Sequence, residues 1–388
     1  MASPVQVVTL NGSKGPINAS AKDLQGATTK MTIQIASSTE QDALISGLRG
    51  DVDPAVVVYF ASTCHPLAAL GAAMKAAFPR AASIGCTTAG EISSGKMATC
   101  SMVAMALPPE IVSAAATAVV EDLKSPLAVS AALESLSAQM DGPLSGLDRD
   151  THVGLIVADG LSGAEDAVME RIRDLTDIPF VGGSAGDDLA FRATLVAANG
   201  RTFEHAAVLA LLRVPAGYRI IKTQSFRLLE KMLTATEVDE AARIVRRFND
   251  VPAVEAYAQA LGVDSAGVAA CFMGNPVGLM VGGELFVRSP QRVLADGSIV
   301  FYSRIREGSE LELLESTDII TDTGKALEGS QRALIVFNCI WRTLQLQDEG
   351  QCEAYGALFA NTPSVGFSTY GEAYMGHVNQ TATMLALR

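Results

Sequence analysis

Three short segments of this 388-residue chain share one pattern: a hydroxyl, a small or aromatic residue, a glycine and an acid. They are Thr88-Ala89-Gly90-Glu91, Ser184-Ala185-Gly186-Asp187 and Thr369-Tyr370-Gly371-Glu372. Each follows an apolar run that ends in a glycine-containing stretch. Roughly thirty residues upstream of each lies another apolar run, at 55–60, 153–158 and 333–337. These runs are short and rich in β-branched residues, the mark of buried strands. One strand–helix–strand–turn unit is therefore used three times. The irregular spacing of the copies argues for duplicated units inside an α/β fold rather than a solenoid.

A turn at the carboxyl end of a buried strand is where ligands bind in open α/β sheets. Gly90, Gly186 and Gly371 let the backbone turn sharply, and the hydroxyl and acid can bond nearby backbone. Taken singly, each copy also reads as a structural turn. Gly182-Gly183-Ser184-Ala185-Gly186 satisfies the nucleophile-elbow pattern of serine hydrolases. The elbow demands a helix next, whereas Phe191 to Val196 has strand character. The sister copies place Thr88 and Thr369 where Ser184 stands. A hydrolase using Ser184 is thus a remote alternative, and a non-enzymatic protein is expected.

Hydrophobic residues make up 49% of the chain, enough for sizeable cores, and no apolar stretch is long enough to span a membrane. The start of the chain has no basic region followed by an apolar core, so a cytoplasmic protein without membrane association is expected. The formal net charge of −13 opposes binding to nucleic acid. The six cysteines form no C-x-x-C pair and are expected to be free, mostly buried thiols.

Along the chain, residues 1–28 read as a polar arm. Strands are expected at 31–35, 56–60 and 81–86, with helices at 38–48, opened by a Ser38 capping box, and at 66–78. Residues 97–107 and 111–120 look like an antiparallel pair joined near Pro108-Pro109. A helix at 127–140 precedes the second unit, whose strand starts at His152 and whose helix covers 164–175, with Ser162 as cap. Asn199-Gly200 signals a hairpin. A strand at 218–225 and a helix at 237–248 follow. Asn249-Asp250 is read as the boundary between a domain at 29–248 and one at 249–388. The second holds a helix at 252–261, a hairpin at Asp296-Gly297 between 285–287 and 299–302, a strand and turn at 318–327, the third unit's strand within 329–338, a helix at 341–360, and a last strand at 382–387. The fold class is two-lobed α/β with antiparallel hairpins.

Residues 84–91 and 182–187 resemble the N-terminal module of the FIST family. Residues 333–339 and 366–372, with Asn379-Gln380-Thr381, resemble its C-terminal module. The resemblance covers about 31–387. It implies an intracellular sensory protein of signal transduction. A stand-alone bacterial subset, similar in lacking an output domain, comprises the nitric-oxide-sensing haem proteins called NosP. That likeness implies haem b, a diatomic gas ligand, and a partner histidine kinase, diguanylate cyclase or phosphodiesterase of two-component or cyclic-di-GMP signalling.

A haem sensor needs one axial ligand, and the chain has four histidines. His377 ranks first, beside Gly376 and with Tyr374 and Met375 as apolar cover. His65, before Pro66 at a helix start, ranks second, and a thiolate of Cys64 or Cys339 third. His152 reads as a solvent-facing edge and His205 as exposed. Arg288, Arg304 and Arg342 are candidates for the propionates. The competing reading is a module for a small amino-acid-like metabolite, with Glu91, Asp187 and Glu372 receiving its amine.

Overall fold

The computed structural model describes residues 32–140 and 142–388, so the expected arm at 1–28 and Met31 lie outside the described residues. The first unit runs β1 (Gln34–Ser38), α1 (Gln41–Gly47), β2 (Val56–Ala61), α2 (Leu67–Ala77), β3 (Ala82–Thr87), a hairpin β4 (Glu91–Ser93) and β5 (Lys96–Ala98), and β6 (Met102–Leu107). The second repeats that order: β7 (Ala114–Val120), α3 (Pro126–Gln139), β8 (His152–Ala158), α4 (Glu165–Leu175), β9 (Phe180–Ser184), a hairpin β10 (Val196–Ala198) and β11 (Arg201–Phe203), and β12 (Ala207–Arg213).

The third unit begins with β13 (Tyr218–Gln224) and is then interrupted by an inserted sheet. The insert comprises β14 (Phe226–Asp239), β15 (Ile244–Phe248), β16 (Val251–Pro252), α5 (Ala253–Leu261), α6 (Val268–Cys271), β17 (Val277–Val281), β18 (Glu284–Arg288), β19 (Pro290–Val293), β20 (Ile299–Phe301) and β21 (Glu310–Ser316). The unit resumes with α7 (Ile319–Ala326), β22 (Ala333–Cys339), α8 (Ile340–Asp348), α9 (Cys352–Ala357), β23 (Ser364–Thr369), a hairpin β24 (Glu372–Tyr374) and β25 (His377–Val378), and β26 (Thr381–Leu387).

Each unit builds a six-stranded sheet of the same order: β1-β6-β2-β3-β10-β11, β7-β12-β8-β9-β24-β25 and β13-β26-β22-β23-β4-β5. In each, one parallel pair forms the middle: β2 with β3, β8 with β9, β22 with β23. The last two strands always come from another unit. The first unit gives its hairpin to the third sheet, the third to the second, and the second to the first. The exchange closes a ring, so the three units hold one another.

The central strands are apolar on both faces, as strands covered on both sides must be. Val56, Val58 and Phe60 of β2 point into a core shared by all three sheets, while Val57, Tyr59 and Ala61 face α1 and α2. The same alternation sends Val153, Leu155 and Val157 inward and Ile156 and Ala158 toward α3 and α4. It sends Ile335 and Phe337 inward and Leu334 and Val336 toward α8 and α9. Three rings meet at the centre, with Phe60 4.6 Å from Phe367 and 6.3 Å from Phe337 between centroids. Each large side chain so buried contributes roughly 1.5–3 kcal/mol.

Several expectations are corrected. Residues 97–107 and 111–120 are not a pair: β6 lies between β1 and β2, and β7 pairs with β12. The helix expected at 237–248 is two strands, β14 and β15. The turn that follows, at Asn249 and Asp250 between β15 and β16, has positive φ at both residues. Asp318 caps a helix, α7, by accepting from Thr321 N–H at 2.5 Å, where a strand was expected. The helix expected at 341–360 is two, α8 and α9. Ser38 accepts from Glu40 N–H at 2.9 Å instead of capping α1. The partner of β20 across Asp296-Gly297 is β19, not the strand at 285–287.

Candidate functional site

The three motif turns meet where the hairpins change sheets. Ala89 N–H donates to Ser368 O at 3.2 Å, Gly186 N–H to Thr87 O at 3.0 Å, and Tyr370 N–H to Ser184 O at 3.1 Å. These bonds set the true correspondence of the repeats. Ser184 occupies the place of Thr87 and Ser368, and Ala185 the place of Thr88 and Thr369. The middle copy is thus shifted by one residue from the sequence match. The glycine–glutamate turns of the first and third units are alike in detail. Thr88 Oγ1 donates to Glu91 Oε1, and Thr369 Oγ1 to Glu372 Oε1 at 2.6 Å. Ser101 N–H and Oγ donate to Glu91 Oε2 at 3.0 and 2.6 Å, and Thr381 N–H and Oγ1 to Glu372 Oε2 at 3.1 and 2.8 Å.

Both carboxyls are buried, with no cation beside them among the described residues. Burial pushes each up to about 7, although the hydroxyl and N–H donors pull the other way. A group so enclosed is closed to an incoming amine. The expectation that Glu91 and Glu372 receive one is not what their bonding suits.

The middle turn is built differently. Burial would raise Asp187, but Tyr370 Oη, donating at 2.5 Å, and the N–H groups of Arg192, Phe191 and Ala193 hold its carboxyl below the usual range. Asp188 accepts from Ser62 Oγ and Thr63 N–H, each at 2.9 Å. Asp188, Leu189 and Phe191 all have positive φ, which folds Leu189 and Phe191 outward. The four histidine rings bond to Cys100 O, to Thr151 and Asp148, to Asp159 and to Asn379; none bonds to Ser184.

The other candidates separate. His65 is half-buried at the start of α2, 3.1 Å from Cys100 O. His152 is buried against Asp148 O at 2.9 Å, correcting its reading as a solvent-facing edge. His205 is exposed beside Asp159. Cys64 and Cys100 form a disulfide, correcting the expectation of six free thiols, while Cys86 and Cys339 are free and buried. Burial, with Glu372 beside it, pushes the Cys339 thiol up. Arg342 is sealed in the third unit, donating to Asn338 Oδ1 at 3.0 Å and Thr323 Oγ1 at 2.7 Å. Tyr374 lies under Lys222 on a separate surface depression, and Met375 is 56% exposed.

Of the ranked ligands, His377 and Cys339 are both buried and line a cavity of about 520 Å³. This cavity opens at the carboxyl ends of β8, β9, β22 and β23, under the inserted sheet, the position open α/β sheets give to ligands. Four rings line it. Phe191 stacks on Tyr370 with centroids 5.1 Å apart, and Tyr302 meets Trp341 edge-on at 5.6 Å. Glu165, at the first turn of α4, and Arg243, from the turn between β14 and β15, line it as well. Arg243 Nη2 lies 3.3 Å from Glu165, 3.0 Å from Asp166 and 2.9 Å from Gly163 O, and its Nη1 donates to Tyr302 O at 2.6 Å. This guanidinium clamps the insert to α4.

Asn379 fixes the histidine. Its Oδ1 accepts from Ser303 Oγ at 2.6 Å and Ser289 N–H at 3.5 Å, so its amide N–H faces His377 Nε2 at 3.1 Å. That network assigns Nε2 as the acceptor nitrogen. Burial holds the imidazole below its usual range, hence neutral. Gly371 lies flat against it, since a Cβ there would collide with the ring. Sequence reasoning missed Phe191, Glu165, Arg243, Tyr302 and Trp341 as site residues. They come from distant segments, and only the tertiary fold gathers them.

Residues 55–251 match the FIST N domain, and residues 253–375 match the FIST C domain. No curated protein matches the chain. Among the described residues no helix is long and apolar enough to cross a membrane.

Proposed function

The chain belongs to the FIST family, whose domains are sensory ligand-binding modules of signal transduction, and from that premise we propose that its ligand site is the cavity under the inserted sheet and its ligand a small amino-acid-like molecule. One observation carries the reading: a carboxylate, Glu165, and a guanidinium, Arg243, stand side by side in a cavity that four aromatic side chains also line. An amine suits Glu165, a carboxylate suits the planar fork of Arg243, and an apolar or planar body suits the rings. A ligand that inserts there competes for the Arg243 clamp. The insert then shifts against α4, a surface change that a partner histidine kinase or cyclic-di-GMP enzyme can read. A cytoplasmic location belongs to the same proposal. The exposed Cys64–Cys100 bond is the feature to set against it, since disulfides are rare in reducing compartments.

The test is thermal unfolding against a panel of amino acids and amines. A binder at a hundred times its dissociation constant stabilises by about 2.7 kcal/mol. The expected result is a raised midpoint with some amine-bearing members and none with their deaminated analogues, lost in Glu165→Gln. A panel that leaves the wild type unmoved sinks the reading.

Haem with a diatomic gas such as nitric oxide is the second reading, favoured by one observation: a neutral, buried His377 on the cavity wall. The group would supply reversible gas binding at its iron. As placed, the side chains do not fit it without rearrangement. His377 Nε2 is taken by Asn379, and the charge of Arg243 is already matched by Glu165 and Asp166. Arg342 lies elsewhere, and Arg288 and Arg304 face the cavity on the other side of His377. A Soret band on adding haemin, lost in His377→Ala and kept in His205→Ala, would favour haem over the amine reading.

A further inference from the structure

His377 has a second face. Beyond it lies another cavity, of about 290 Å³, between α4, the β24–β25 turn and the inserted sheet. In a chain of net charge −13, this small space is lined by four arginines, Arg173, Arg288, Arg304 and Arg306, against two acids, Asp166 and Glu170.

The acids are already committed. Glu170 takes Arg304 and also Arg306, the latter at 3.0 Å. Asp166 takes Arg243 from the neighbouring cavity at 3.0 Å and the Arg304 N–H at 3.2 Å. Arg173 and Arg288 are left with carbonyl oxygens only. Arg173 Nη1 donates to Met375 O at 3.1 Å, and Arg288 Nη1 donates to Val287 O at 3.2 Å and His377 O at 3.3 Å. Neither forms an ion pair among the described residues. A carbonyl satisfies one N–H of a guanidinium but does not neutralise it, and each fork keeps further donors.

Arg288 stands at the end of β18, half-buried among Phe286, Leu279 and Leu311. Apolar walls lower the local dielectric, which makes an uncompensated cation costly and an incoming anion correspondingly favourable. Burial holds the Arg288 guanidinium below its ordinary range, although the charge of Asp166 pulls the other way.

We propose that this cavity is a second ligand site, distinct from the aromatic one, which takes a compact oxyanion of two or more negative charges held between Arg173 and Arg288. Two guanidinium forks facing one small space suit the paired oxygens of a phosphate or a dicarboxylate. The volume excludes extended polyanions. The site does not depend on the identity of the ligand in the neighbouring cavity.

The experiment is calorimetric titration of the full chain with inorganic phosphate and, separately, with malonate, each against sodium chloride at matched ionic strength. The expected result is saturable binding of at least one of the two, weakened at least tenfold in Arg173→Gln and in Arg288→Gln. Phosphate alone binding identifies a phosphoryl ligand; malonate alone identifies a dicarboxylate; either supports the site. Arg173 is exposed, so its substitution leaves folding intact and carries the test if Arg288→Gln does not fold. No heat beyond the chloride control, or binding that survives unchanged in Arg173→Gln, overturns the proposal.

Discussion

Folding stability is expected to fall by about 3 kcal/mol for each of Glu91 and Glu372 as pH rises from 4.5 to about 7. Both carboxyls have folded values raised above their unfolded ones, so in that window the native state holds protons that the unfolded state has released. Stability contributed by such a group is fully present below 4.5 and lost as pH climbs through the folded value. Two other groups act in the opposite sense. His377 is held neutral and Asp187 is held ionised, and each costs stability as pH falls. The measurement is therefore a difference: urea unfolding of the wild type and of Glu91→Gln/Glu372→Gln between pH 4 and 8. Glutamine suits both sites. Its oxygen accepts from Ser101 or Thr381, and its amide donates to the threonine hydroxyl, which reverses its role. The double variant should gain on the wild type steadily through the window and hold a constant advantage above it. Parallel curves would show that the two carboxyls are not desolvated as described.

Three glycines should tolerate no side chain at all. Gly85, Gly182 and Gly366 sit opposite Tyr59, Ile156 and Val336 in the three parallel pairs. At each, a Cβ would run into the carbonyl oxygen of that opposite residue. None has a positive φ, so alanine is allowed conformationally and the penalty is steric. Overpacking against side chains costs about 1–3 kcal/mol because side chains give way. Here backbone must yield in the middle of a sheet, so at least about 3 kcal/mol is expected for Gly182→Ala and Gly366→Ala. Gly267→Ala, where nothing lies within 4 Å, is expected to stay within about 0.5 kcal/mol. Chemical denaturation of these three single variants checks the contrast. A mild Gly182→Ala would mean that the parallel strands are not so closely seated.

The three strand–helix–strand units are legible in the chain because buried strands and their turns are local signals. β2, β8 and β22 fall within a residue or two of their expected ends. The ring of exchanged hairpins is not legible. Nothing in Glu91–Ser93 says that its partner is β23, some 270 residues on. The register of the middle motif is also hidden, because Ser184 imitates Thr88 in sequence while its backbone bonds match those of Thr87. The helical look of the β15 sequence has a physical reason. Bulges near Glu237 disturb its ladder, so Val245 and Phe248 are buried three residues apart, a helical spacing. In the site, His377 stood out because histidines are few. Glu165 is one acid in the first turn of a helix and Arg243 one of three arginines at 243–247, and nothing in the sequence joins them. Their meeting is set by the insert folding back over α4.

The aromatic cavity carries its own reporter, since Trp341 is the only tryptophan of the chain and lines it against Tyr302. The most direct measurement is Trp341 fluorescence during titration with the amine that most raises the thermal midpoint. The expected result is a saturable change in intensity or emission maximum, with the same half-saturation as the thermal effect, and at least a tenfold weaker response in Glu165→Gln. Stabilisation by that amine with an unaltered Trp341 signal would place the ligand elsewhere and contradict the assignment of this cavity as the sensory site.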